Sequence, residues 1–154
     1  MLCLPTSPEF VTAFFGAMLL GAVPVAIALP GRFGGIRGFV ARYGNLERYL
    51  RPRALIAEAP VIEALTGATG PGVAVLNGGA LRAAAMHNGP ASAAIRPGCD
   101  ALAFLQLTSG STGDPMGVMI SHGNVAANCE QLAGACDWGT IEVQVAWLPL
   151  NHDM

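Results

Sequence analysis

ALAFLQLTSGSTGDPMGVMIS, residues 101–121, sets two apolar runs around a glycine-, serine- and threonine-rich centre. Ala101 to Leu107 reads as a strand entering a loop, and Gly117 to Ser121 as a strand leaving it. Isolated Gly/Ser/Thr tracts are common in mobile linkers, but this one is anchored by an apolar run on each side. Gly110, Gly113 and Gly117 permit positive φ and a close approach of backbone to a ligand. Thr108, Ser109, Ser111 and Thr112 interleave hydroxyls that can donate to phosphate oxygens beside the loop's N–H groups. No Gly-Lys-Ser/Thr follows at the spacing of a Walker A motif, so a Walker-type NTPase is excluded.

Working outward, Leu2 to Leu4 is strand-like. Thr6-Ser7-Pro8-Glu9 offers a capping box with proline in the first turn, followed by Phe10, Ala13, Phe14, Ala17 and Met18 at helical spacing. Gly21 can end that helix. Val23 to Leu29 is β-branched and strand-like, and Pro30 to Gly35 is a loop. Phe10 to Gly31 is uncharged and long enough to span a bilayer, yet Gly16, Gly21 and Pro24 break it. The expectation is therefore a buried helix, a turn and a buried strand, with no membrane span.

Ile36 to Leu50 carries three of the eight arginines and forms an amphipathic surface helix on this reading, weakened by Gly38 and Gly44. Ala54 to Ala57 is a strand, Val61 to Leu65 a short helix, and Val73 to Leu76 a strand. Residues 77–100, rich in Gly, Ala and Pro, read as a long connection. After the loop comes a helix from Gly123 to Ala135, then a strand from Val143 to Leu148. Alternating apolar strands and helices predict an α/β fold with a mostly parallel sheet covered on both faces. Ligands of such sheets bind beyond the strand carboxyl ends, where the glycine-rich loop lies.

Composition points the same way. Charged residues make up 12% of the 154 residues, against about 25% in ordinary globular domains. That is too little charge to cover a sphere of this size, so the apolar faces call for a membrane or for further protein to cover them. Lysine is absent, the net charge is −2, and no basic patch indicates nucleic acid. Cys3, Cys99, Cys129 and Cys136 show neither a C-x-x-C pair nor a histidine at ligand spacing, so no zinc site is expected; small buried thiols are the default and a disulfide framework the minor alternative. No positively charged segment resembling a secretory signal precedes the first apolar run, and a cytoplasmic location is expected. Both ends read as truncated. His122 reads as a turn organiser before the helix, and His152 with Asp153 as a structural pair when taken by residue type alone. His87 reads as exposed, and Trp138 and Trp147 as packing residues.

LTSGSTGDPMGVMISHGNV, followed after a helix by WLPLNHDM, resembles the AMP-forming adenylate-forming ligases: acyl-CoA synthetases, fatty-acyl-AMP ligases and nonribosomal-peptide adenylation domains. The His-Asp-Met ending and the stretch SPEFVTAFFGAMLLGAVPVAIALPGRFGG look most like the fatty-acyl-AMP ligase branch. The resemblance implies that residues 1–154 are part of the large AMP-binding N-terminal domain, with the small C-terminal domain and its catalytic lysine absent. It implies that Thr108, Ser109, Gly110, Ser111, Thr112, Gly113 and Gly117 belong to the loop that holds ATP phosphates, and that His152 lies beside the acyl and adenylate site. It further implies ATP and Mg2+ as cofactors, a fatty acid as substrate, and an acyl-carrier protein or CoA as acceptor. Met116 departs from the pattern, which usually has lysine there. By itself this chain is expected to catalyse no carboxylate-dependent ATP–pyrophosphate exchange.

Overall fold

The structure, a computed structural model, describes residues 1–31, 35–87, 94–108, 116–135, 143 and 148–150. Its elements are β1 (Leu2–Cys3), α1 (Pro8–Leu19), α2 (Gly35–Leu50), β2 (Ala54–Ala57), α3 (Ala59–Ala64), β3 (Ala74–Asn77), α4 (Gly78–His87), β4 (Leu102–Thr108), β5 (Met116–Ser121) and α5 (His122–Ala135). β1, β2 and β3 form a parallel sheet in that order, and β4 and β5 form an antiparallel pair.

The segment Pro24–Ile27 joins these two blocks. It makes parallel bridges from Leu2 to Ala26 on one side and from Val25 to Leu105 on the other. Its backbone bonds are short: Leu2 N–H donates to Val25 O at 2.8 Å, Ile27 N–H to Leu2 O at 2.9 Å, and Leu105 N–H to Pro24 O at 3.1 Å. The expected strand over Val23 to Leu29 is thus present as an extended segment paired at Val25 and Ala26.

Side chains alternate across this sheet, as the period of a strand requires. Met1, Cys3, Val25, Ile27, Leu55 and Ala57 pack on one face with Phe39 and Tyr43 of α2, Val61 of α3 and the following Leu65. Leu2, Leu4 and Ala26 turn to the other face and meet Phe10, Ala13 and Phe14 of α1. β1, β2 and the Val25–Ile27 segment are therefore covered on both faces, whereas β3, which ends in Asn77, is mostly exposed. β4 follows the same rule, with Leu105 and Leu107 against the first cluster and Phe104 edge-on to Phe14 at a centroid distance of 5.4 Å.

The start of α1 corrects one expectation. Its N-cap is Ser7, whose Oγ accepts from Phe10 N–H at 3.2 Å, with Pro8 at the first helical position. Phe10 occupies the third helical position, so the reciprocal arm of a capping box has no acid there. Glu9 instead pairs with Arg82 of α4, tying the two helices together. Hydrogen bonding from its own backbone N–H, then from Arg82 and Ser7, holds the Glu9 carboxyl below its ordinary range.

α1 ends as Gly21 allows. Gly21 sits at φ 72, where a side chain would be strained. Its N–H reaches Met18 O at 2.9 Å while Ala22 N–H reaches Ala17 O at 2.9 Å, which is the doubly bonded left-handed helix stop. The uncharged run from Phe10 is thereby split into a 12-residue helix and an extended segment. No helix among the described residues is long and apolar enough to cross a membrane.

The long connection expected over residues 77–100 contains α4, a 10-residue helix. Ala80 N–H donates to Asn77 Oδ1 at 3.0 Å, a side-chain cap at the strand-to-helix junction. Four alanines and a leucine outweigh the two glycines at its start.

Two outcomes follow. Ser7→Ala should lower the unfolding free energy of the 154-residue chain by about 1 kcal/mol, with Ser7→Asp close to the parent, as read by urea unfolding. Burial pushes the Cys3 thiol from 9.0 up to about 12. The folded state disfavours the thiolate, so this stability is complete below pH 9 and is lost as pH rises toward 12. The stability difference between parent and Cys3→Ala should therefore shift against the parent by about 1.4 kcal/mol per pH unit in that window, and be constant below it.

Candidate active site

β4 and β5 pair antiparallel from Leu102 opposite Ser121 to Thr108 opposite Met116. The sequence between Thr108 and Met116 therefore joins the ends of two adjacent strands. Thr108 Oγ1 donates to Met116 O at 3.4 Å across the neck. Ser109, Gly110, Ser111, Thr112 and Gly113 lie outside the described residues, as do Asp114, Pro115 and His152. Of the expected phosphate-loop residues, the structure places Thr108 at the end of β4 and Gly117 in β5.

Gly117 lies in the strand expected from Gly117 to Ser121 and does not use the positive φ open to glycine. It pairs there with Leu107. A Cβ built there would meet Leu107 Cδ2 at 4.0 Å, an ordinary contact. Strand pairing, and no left-handed turn, determines its backbone. Met116, where the family pattern usually has lysine, is 64% exposed beside the neck.

The opposite end of the hairpin is fastened to the start of α5. Ser121 and Asn124 form a reciprocal cap: Asn124 N–H donates to Ser121 Oγ at 3.1 Å, and Ser121 N–H donates to Asn124 Oδ1 at 3.0 Å. The Ser121 hydroxyl also donates to that oxygen at 3.1 Å. The first two helical amides go elsewhere, with His122 N–H on Ala101 O at 3.0 Å and Gly123 N–H on Cys99 O at 2.8 Å. These bonds satisfy the first three orphan donors of the helix from the two strand ends and from the turn before β4. His122 acts through its backbone, in line with its expected role in the turn. The cap was readable as Ser-x-x-Asn before a helix, but Asn in place of Glu or Gln hid it.

The other sequence candidates fall away from this hairpin. His87 is exposed at the end of α4, with Nδ1 2.7 Å from Ala83 O. Cys3 is buried under the first sheet, whereas Cys99 and Cys129 are exposed. No group of three or more His, Cys, Asp or Glu side chains that could hold a metal occurs among the described residues.

Comparison with known proteins bears on the whole chain. The chain is 32% identical over 158 residues to 4-hydroxyphenylalkanoate adenylyltransferase of Mycobacterium marinum, covering 97% of this chain and 25% of that protein. It is 29% identical over 157 residues to the long-chain-fatty-acid–AMP ligase FadD32 of Mycolicibacterium smegmatis, covering 100% of this chain and 24% of the other. A solved structure from work on fatty acyl-adenylate ligases of E. coli and L. pneumophila superposes with a TM-score of 0.80 at 32% identity, covering 99% of this chain and 28% of that one. The chain thus spans about a quarter of the length of these relatives. The model of the AMP-binding enzyme family matches residues 1–154, and the chain belongs to that family.

Proposed function

We propose that this chain supplies the triphosphate-holding part of a ligase that activates a fatty acid as its acyl-adenylate. The observation that carries the reading is the β4–β5 hairpin. It fixes where the run between Thr108 and Met116 begins and ends, by the Thr108–Met116 bond at its neck and by the Ser121–Asn124 cap at its base. The names of relatives, among them a long-chain-fatty-acid–AMP ligase, support a fatty carboxylate as the acid.

In this reaction a carboxylate oxygen attacks the α-phosphorus of ATP, a new P–O bond forms, and the bond to pyrophosphate breaks. A thiol of a carrier protein or of CoA then attacks the acyl carbon, and AMP leaves. Little covalent chemistry falls to the loop. Its amides and hydroxyls position the β- and γ-phosphates and stabilise the charge that moves onto pyrophosphate. Magnesium, if bound, would be held by the nucleotide's own oxygens, since no group of metal-ligating side chains occurs among the described residues, and it would supply positive charge against that of the phosphates. His152 is assigned a place beside the acyl and adenylate groups. Supplies of ATP and of the acceptor thiol fit a cytoplasmic protein.

Met116 favours a second reading, that of a non-catalytic module of the same fold. A charge-assisted hydrogen bond is worth about 1.5 to 3 kcal/mol, so an absent lysine weakens ATP handling by about tenfold or more. The two readings diverge when the chain is carried in a complete adenylating ligase in place of the matching segment. On the catalytic reading this hybrid shows carboxylate-dependent ATP–pyrophosphate exchange. Replacing Ser111 and Thr112 by alanine lowers the exchange rate by about tenfold with a smaller effect on the fatty-acid KM, and Met116→Lys raises the rate or lowers the ATP KM. No exchange in the parent hybrid supports the non-catalytic module. Exchange that is indifferent to the double alanine change removes the loop from the active site.

A further inference from the structure

We infer that Ser121 and Asn124 are positioning residues for the nucleotide-holding loop, acting from the far end of β5. The inference rests on the functional reading above and adds to it residues that touch neither nucleotide nor acid. β5 is the outer strand of the hairpin among the described residues, with Met116, Val118 and Met119 exposed along it. β4 is held on both sides, by β5 and through the bond from Leu105 N–H to Pro24 O. Among the described residues, β5 pairs with β4 on one side and meets the start of α5 at its end.

At that end the Ser121 backbone and side chain close a ring with Asn124, whose single Oδ1 accepts from both Ser121 N–H and Ser121 Oγ–H. The direction in which β5 leaves the helix is set there. Six residues of strand span about 17 Å between this ring and the loop neck. A swing of about 10° at the base carries the neck by about 3 Å, and a misplacement of about 1 Å in a catalytic group costs on the order of a hundredfold in rate. The cap is therefore a lever on the phosphates while being remote from them.

The experiment uses the hybrid ligase and the chain alone. In the hybrid, Ser121→Ala and Asn124→Ala should each raise the ATP KM by about tenfold and leave the fatty-acid KM within about twofold, since only the nucleotide meets this loop. Ser121→Thr and Asn124→Asp keep the acceptor oxygens and should restore the ATP KM. In the 154-residue chain, amide hydrogen exchange at Gln106 and Val118, which face each other across the hairpin, should be faster in Asn124→Ala than in the parent, with thermal unfolding still cooperative. A hybrid without exchange activity defeats the functional reading but not this one, which the amide measurement still decides. Unchanged ATP KM and unchanged amide exchange overturn the inference. So does an equal rise in both KM values, or loss of the folded state in both alanine variants, because the pair would then be supporting the domain as a whole.

Discussion

The bond from Leu105 N–H to the carbonyl of Pro24 joins the loop-bearing hairpin to the rest of the molecule. Proline lacks an N–H but keeps its acceptor, and the residue that breaks helix α1's apolar continuation thus also receives β4. Through that contact and the Val25 to Leu105 bridge, the antiparallel pair is held in register with the parallel strands. The alternation of side chains then runs without a break from Ala57 to Leu107, with α2 and α3 on one face and α1 on the other. A slip of one residue at Leu105 would move Phe104 away from Phe14 and turn Leu105 and Leu107 out of the core.

Much of this was legible from residue pattern. The helix, turn and strand over residues 10–29 followed from Gly21 and Pro24, because one supplies positive φ and the other ends helical bonding. Ala54–Ala57 was bounded by Pro52-Arg53 before it and by Glu58-Ala59-Pro60 after it, and the strand keeps those limits. α4 was missed because glycine, alanine and proline across residues 77–100 read as a connection. Its cap comes from Asn77, the last residue of a strand, and is visible only once the strand end is known. The reciprocal cap at Ser121 was missed for a chemical reason, since asparagine performs the task usually given to glutamate. Gly117 keeps the strand that the sequence reading began there, and pairing with Leu107 leaves unused the positive φ that glycine permits.

The scarcity of charge in the sequence has a structural counterpart. Val11, Phe15 and Leu19 are exposed along α1, and Val118 and Met119 along β5. Val11, Phe15 and Leu19 recur at four-residue spacing and make one apolar stripe, whereas Val118 and Met119 are strand neighbours on opposite sides of β5.

The central claim is that residues 108–113 hold the triphosphate. Its most direct test is a crystal structure of the hybrid ligase with a non-hydrolysable ATP analogue. The account predicts β- and γ-phosphate oxygens within about 3 Å of amide or hydroxyl donors between Thr108 and Gly113. A triphosphate bound elsewhere, with those donors facing solvent, would contradict it.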